Sequence, residues 1–276
     1  MIKSLPRITS PNFLFSFDFD ETLFDASTTP TIPSLFFELM EKWKREYGIL
    51  WGINTGRALD YLFEDLTGSA QAPFAPDFTV TRERDIHLSN ADGVLEPLAF
   101  WNDRCDQLHQ ELFQNHSPLF DAIFEQVRIL HPDIEWWMQE DDPYSIEVVN
   151  PQDLDRIEDV LKPEIAPYTE ISFQRAGPYL RFCHADYNKG TALEQVVHLS
   201  GIPQNRVVLF GDGHNDLDAM IHLPEALCCC PANATPGVQQ VVLQRRGHIS
   251  SKRRSQGVLE ILTESIEPWL KNEKIK

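Results

Sequence analysis

Long apolar runs are missing from this sequence. The nearest approaches, residues 12–17 (NFLFSF) and 207–210 (VVLF), fall far short of the ~20 residues needed to cross a bilayer, so no membrane span is expected. Basic residues are scarce: 24 lysines and arginines face 42 acidic residues, giving a net charge of -18 and a pI near 4.8. A surface of that sign repels nucleic acid and anionic lipid, which leaves small molecules as the expected partners. The first fifteen residues carry no apolar signal core, and Pro6, Pro11 and Asn12 interrupt them, so the cytoplasm is the expected compartment. The five cysteines, Cys105, Cys183 and the adjacent Cys228, Cys229 and Cys230, form neither a spaced disulfide framework nor a paired C-x-x-C zinc site. The run LCCCPAN reads as a short buried strand ahead of a soft-metal or redox site. Repeats and flexible Gly/Ser linkers are absent, and 276 residues, 42% of them hydrophobic, suffice for one large domain or two modest ones.

What is present has a clear rhythm. Residues 13–19 (FLFSFDF) read as a buried strand running into the acidic turn DETLFD. A helix opens at Pro33-Ser34, with Leu35, Phe36, Leu39, Met40 and Trp43 at helical spacing, and stops at Gly48. GILWGIN is a second strand, TGR a turn and ALDYLFEDL a helix. The pattern returns late: KGTALEQVVHLSG is helical, RVVLF a strand, GDGHND a loop and DLDAMIHL a helix. Alternation of this kind specifies an α/β fold, a Rossmann-like parallel sheet with helices on both faces. Residues 82–181 differ in texture and hold 21 acidic and 8 basic residues. A helix near 118–130, strands EWWMQ, YSIEVVN and YLRFC and a helix opening at Pro151 make them an expected α+β cap, inserted into a discontinuous core of 1–81 and 182–276.

Chemistry-bearing residues gather at the predicted strand ends. Asp18 and Asp20, two apart in extended chain, leave one face ~6–7 Å from each other, at the end where open parallel sheets bind ligands. Alone, the pair reads equally as solvated loop acids or a helix cap. A second cluster, Asp212 and Asp216, follows another buried strand, with Gly211 and Gly213 allowing a tight turn. An EF-hand loop counted from Asp212 would need glycine sixth and glutamate twelfth, but Leu217 and Leu223 stand there, so that reading fails. Carboxylates with room for water favour Mg²⁺. Thr55 and Gly56 offer a hydroxyl and backbone N–H groups for phosphate, and Lys189 offers a positive charge, although TGR and NKG are ordinary turn sequences taken singly.

In this order the motifs resemble those of the haloacid dehalogenase superfamily. Its D-x-D-x-T is matched by Asp18-Phe19-Asp20-Glu21-Thr22, its strand-end Thr/Ser by Thr55, its lysine by Lys189, and its G-D-x-x-x-D by Gly211, Asp212 and Asp216. The stretches KGTAL, GDGHND and Ala232-Asn233-Ala234 are similar to the branch with a large α/β cap, which includes Cof-type sugar phosphatases and sucrose-phosphate phosphatases. Glu21 departs from that branch, where glycine is commoner. The resemblance implies Asp18 as nucleophile and Asp20 as general acid and base. It implies Mg²⁺ held by Asp18, the main-chain carbonyl of Asp20 and Asp212, with Asp216 supporting that shell. Thr55, Gly56 and Lys189 would bind the phosphoryl group. Asn215 joins them or serves as a turn residue, and Arg57 contacts phosphate or is a solvated helix residue.

The cap has one place to go. Between Asp20 and Thr55 lie 34 residues, already used by a helix and a strand, while 133 separate Thr55 from Lys189. A lid there would exclude water and choose the substrate. In EWWMQ, alternation puts Trp136 and Met138 on one face and Trp137 and Gln139 on the other. Trp137 and Gln139 suit a sugar ring, or Trp137 packs beneath a helix. The resemblance implies Mg²⁺-dependent hydrolysis of a small phosphomonoester, a sugar phosphate or related metabolite, and the acidic cap favours a neutral, hydroxyl-rich leaving group over a polyphosphate. The alternatives are a phosphomutase sharing the aspartyl-phosphate, or a phospho-acceptor module.

Overall fold

The computed structural model describes residues 2–138 and 144–273. It divides into two compact units, one formed by Met1–Ala99 and Lys189–Lys276, the other by Phe100–Asn188.

In the first unit, β1 (Phe13–Phe17) leads to α1 (Ser34–Tyr47), β2 (Ile49–Asn54), α2 (Leu59–Thr67) and β3 (Phe78–Thr81), followed by β4 (Asp85–Ser89) and β5 (Leu95–Pro97). The second unit contributes α3 (Ala99–Leu130), β6 (Trp136–Met138), β7 (Ser145–Val148), α4 (Asp153–Ile165), β8 (Ile171–Ala176) and β9 (Tyr179–His184). The first unit resumes with α5 (Lys189–Ser200), β10 (Val207–Phe210), α6 (Asp216–His222), β11 (Leu227–Cys230), α7 (Pro236–Gln244) and β12 (His248–Ile249). Then α8 (Arg254–Ile261) passes through a π turn into α9 (Glu267–Glu273). No helix among the described residues is long and apolar enough to cross a membrane.

The eight-stranded sheet has the order β12-β11-β10-β1-β2-β3-β4-β5. It is parallel from β12 to β3 and antiparallel at β4 and β5. β1 sits centrally because its residues are apolar on both faces. Phe13, Phe15 and Phe17 belong to a core with α1, α2 and α8, where Phe15 meets Trp43 at 6.1 Å and Phe17 meets Phe36 at 5.1 Å. On the other side Ser16 and Leu209 line a small cavity with Leu193 of α5 and Met220 of α6. Each fully buried phenylalanine contributes roughly 1.5–3 kcal/mol of transfer free energy. Gly48 ends α1 with φ of 69°, a left-handed cap that glycine adopts without a Cβ penalty.

The boundaries differ from those expected at 81/82 and 181/182. Residues 85–97 add a hairpin to the large sheet, turned by Asn90, whose Oδ1 accepts the N–H groups of Asp92 and Val94, and by Gly93 at φ 77°. An Asp-Gly turn between short strands is a hairpin signal hidden here by the acidic texture of the surrounding chain. At the other end β9 runs to His184 and stays with the second unit. There α3 begins 19 residues before the expected 118, since Pro118 lies inside the helix where a proline ordinarily marks a start. The second unit's antiparallel sheet, β6-β7-β9-β8, packs Ile146, Leu180 and Phe182 against Phe120 and Phe124 of α3 and Ile157 and Leu161 of α4. The cysteine run is β11 as expected, with all three thiols buried and free.

Candidate active site

Adjacent parallel strands β1 and β10 carry their acids out of the same sheet edge. The Asp18 N–H still donates to the Phe210 carbonyl at 2.8 Å, so the ladder extends one residue beyond β1 and fixes where Asp18 emerges. Past β10 the chain turns at Gly211. A Cβ there would lie 2.3 Å from Asp216 Cγ, so only glycine lets the Asp216 side chain fold back over the turn. Asp216 Oδ2 accepts the N–H groups of Asp212 and Gly213, each at 2.9 Å.

Lys189, the first residue of α5, is 1% exposed. Its Nζ lies 2.6 Å from Asp18 Oδ1 and 2.6 Å from Asp216 Oδ1. Asp212 completes the group: Thr22 Oγ1 donates to its Oδ1 at 2.8 Å and Asn233 Nδ2 to its Oδ2 at 3.2 Å. Carboxylate oxygens of Asp18, Asp212 and Asp216 lie within 4.8 Å of one another.

The electrostatics follow from three carboxylates crowded onto one ammonium. Burial pushes the Asp18 carboxyl well above the usual range, Lys189 opposes this, and Asp216 and Asp212 add to it. Burial, then Asp216, push Asp212 up to about 7 against the pull of Thr22 and Lys189. Burial works against the Lys189 charge, but Asp18 and Asp216 outweigh it and hold its pKa above the ordinary lysine value. An oxygen-only donor set with unbalanced negative charge fits a hard divalent cation that keeps part of its water. The carboxylates that converge are Asp18, Asp212 and Asp216. Asp216, expected to support the shell, lies beside the other two carboxylates with Oδ2 on the Asp212 and Gly213 N–H groups and Oδ1 on Lys189. The Asp20 carboxylate, 50% exposed, is engaged elsewhere: Arg57 donates to it through Nε at 2.8 Å and Nη2 at 2.6 Å. The same guanidinium pairs with Asp65 and covers the rings of Phe19 and Phe24 at 5.0 and 5.1 Å. Arg57 is therefore neither a solvated helix residue nor, in this arrangement, one reserved for an anion.

Thr55 is buried at the end of β2, with its N–H on Val80 and its hydroxyl accepting the Arg57 N–H at 3.2 Å. Gly56 follows, and beside it lies Glu83, which sequence reasoning missed. Glu83 is buried, has φ of 64° and gives its N–H to the Thr55 carbonyl at 2.9 Å. Its Oε1 accepts the Asn215 amide at 2.7 Å. Nothing local signals this contact, which joins residues 132 apart. In the second unit, Trp136 packs on Phe124 at 5.4 Å, while Trp137, paired with Glu147, is 47% exposed. Gln139 lies outside the described residues.

A parallel sheet with paired acids, a threonine and a lysine at its strand ends is the arrangement expected of the haloacid dehalogenase fold. The chain belongs to that family: the description "haloacid dehalogenase-like hydrolase" matches residues 103–262, more than half of it. Its fold resembles sucrose-phosphatase from Synechocystis, solved with sucrose and phosphate, at TM-score 0.66 and 16% identity over 92% of this chain and 98% of that one. It also resembles a haloacid dehalogenase-like hydrolase from Bacillus subtilis (TM-score 0.62, 15% identity, 96% and 95% covered). A HAD/COF-like hydrolase from Plasmodium vivax is similar too (TM-score 0.64, 14% identity, 95% and 97% covered). No curated protein sequence matches the chain.

Proposed function

We propose that the protein is a Mg²⁺-dependent phosphatase that hydrolyses a small phosphomonoester, of the sugar phosphate class, through an aspartyl-phosphate on Asp18. The observation that carries this reading is the Lys189 ammonium bridging Asp18 and Asp216 with Asp212 alongside and a second acid two residues after Asp18. Phosphoryl transfer needs positioning and charge stabilisation above all. One Asp18 oxygen is held by Lys189, and the other attacks phosphorus. An O–P bond to Asp18 forms as the bond to the leaving oxygen breaks, and Asp20 gives that oxygen a proton. Asp20 then takes a proton from water, whose oxygen attacks the same phosphorus, releasing inorganic phosphate and restoring the Asp18 carboxylate. Thr55, the Gly56 N–H, Lys189 and the second amide hydrogen of Asn215 hold the phosphoryl oxygens. Asp18, Asp212 and Asp216 would hold Mg²⁺, with the Asp20 carbonyl as a further donor by family resemblance. The ion's charge would offset that of the phosphoryl group.

The likeness to sucrose-phosphatase and the acidic stretch 82–181, which disfavours polyanionic leaving groups, support a neutral, hydroxyl-rich leaving group. The net charge disfavours nucleic acid and anionic membrane as partners and leaves a small phosphorylated substrate, and five buried cysteines with no disulfide among the described residues support the cytoplasm. The test is phosphate release by the purified chain from phosphorylated sugars, polyols, nucleotides and cofactors, with Mg²⁺ or with excess chelator. Mg²⁺-dependent release from a sugar phosphate is expected. Conversion to an isomer without free phosphate would make the protein a mutase, and full activity in chelator would overturn the metal site.

A further inference from the structure

Two residues near the acidic cluster hold left-handed backbone although neither is glycine: Glu21 at φ 61° and Arg254 at φ 51°. Such conformations persist only where the surroundings impose them, and they gather at functional sites. Here the two strained residues are bound to each other. Arg254 donates to Glu21 Oε2 through Nε at 2.8 Å and Nη2 at 2.7 Å, while its Nη1 reaches Asp25 Oδ1 at 3.0 Å. Both acids lie on the loop after β1 that carries Asp18 and Thr22.

The second half of the arrangement runs through Asn233. The Arg254 main-chain N–H can only donate, and it meets Asn233 Oδ1 at 2.8 Å. That commits the other end of the amide to donating. Asn233 Nδ2 bonds the Glu21 carbonyl at 2.8 Å and Asp212 Oδ2 at 3.2 Å. Asp212 Oδ1 already takes the Thr22 hydroxyl at 2.8 Å, so both oxygens of this carboxylate are oriented from outside the cluster. Four chain segments meet here: the loops after β1, β10 and β11 and the start of α8.

We infer that Arg254, clamped by Glu21, is a positioning residue that sets Asp212 through Asn233 and thereby the affinity of the site for its divalent cation. The inference rests on reading Asp18, Asp212 and Asp216 as a Mg²⁺ site. Partners that orient a metal-binding carboxylate from behind typically govern affinity by 10–100-fold. Neither Glu21 nor Arg254 need touch the ion or the substrate for this to hold.

The test is calorimetric titration of the full-length protein with Mg²⁺, without substrate. Arg254→Gly keeps the main-chain N–H and suits the left-handed backbone, so it isolates the guanidinium. Glu21→Gln weakens the clamp from the other side, and Asn233→Ala removes the last link. Each variant is expected to bind Mg²⁺ about 10-fold or more weakly while remaining folded at the titration temperature by circular dichroism, and Asn233→Ala to lose the most. The double variant Glu21→Gln/Arg254→Gly should be no worse than Arg254→Gly alone. Wild-type affinity in Arg254→Gly and Asn233→Ala would overturn the inference. A wild-type protein that binds no Mg²⁺ would overturn the metal site beneath it, a distinct result.

Discussion

Arg57 closes on Asp20 as a two-pronged fork, with hydrogen bonds of 2.8 and 2.6 Å, and is itself steadied by Asp65 and two phenylalanine rings. Both Asp20 oxygens are taken by the guanidinium, so the fork aims the carboxylate and must release one oxygen for the proton that Asp20 delivers to the leaving group. The pair is partly exposed, so its worth to folding is small, below ~1 kcal/mol, and its effect is expected in turnover.

Arg57→Ala should therefore lower kcat/KM for alkyl phosphates by at least ~10-fold, within the range ordinarily supplied by a positioned acid. For p-nitrophenyl phosphate, whose leaving group departs without a proton, kcat/KM should change little. Parallel losses on both esters would show that Arg57 acts on phosphate binding and not on Asp20.

Asp18→Asn should abolish phosphate release with the fold retained, because an amide is a far poorer nucleophile and Lys189 keeps Asp216 as a partner. Asp20→Asn should be severely impaired through loss of proton transfer. Phosphate release by Asp18→Asn above a small fraction of wild type, at matched circular dichroism, would remove Asp18 from the covalent role.

Much of this site was legible because its residues follow conspicuous strands. FLFSF and VVLF are apolar throughout, so Asp18 and Asp212 announce the ends of β1 and β10 by contrast, and Gly48 and Gly201 close their helices where the pattern stops. The contacts that complete the site were not legible. Glu83 sits in a polar turn with no spacing signal, and its partner Asn215 is brought to it only by the order of the sheet. The same holds for Arg254 and Glu21. Periodicity reads one element at a time, whereas these contacts join elements distant in the chain. β8 was missed because Gln174 and Arg175 interrupt its apolar alternation, Arg175 being drawn to Asp155 and Glu158 of α4.

Trp137→Ala should raise KM for the best sugar phosphate while sparing p-nitrophenyl phosphate and leaving Tm nearly unchanged, since the ring is 47% exposed. Steady-state kinetics on both esters check this, and equal losses on the two would assign the residue to the fold alone.

Glu260 offers a pH test outside the active site. Hydrogen bonds from the Ser250 and Ser251 hydroxyls and the Ser251 N–H, with Lys252 nearby, pull its carboxyl down to about 2. A depressed acid stabilises the fold above its unfolded pKa, and that contribution fades as pH falls toward the folded one. Glu260→Gln should lower Tm at pH 7, and the gap from wild type should close between pH ~4.5 and ~2. A gap independent of pH would mean that packing, not charge, is what the substitution removes.

The central place of β1 has a consequence for synthesis. One edge of Phe13–Phe17 pairs with β2, made soon afterwards, but the other pairs with Val207–Phe210, which leaves the ribosome only after the whole second unit. At ordinary elongation rates that interval lasts roughly 10–40 s. Throughout it, the nascent chain carries an apolar strand with an open edge, the kind of surface that recruits other strands. Acid-rich segments emerging in the meantime add like charge, which keeps neighbouring nascent chains apart until β10 arrives.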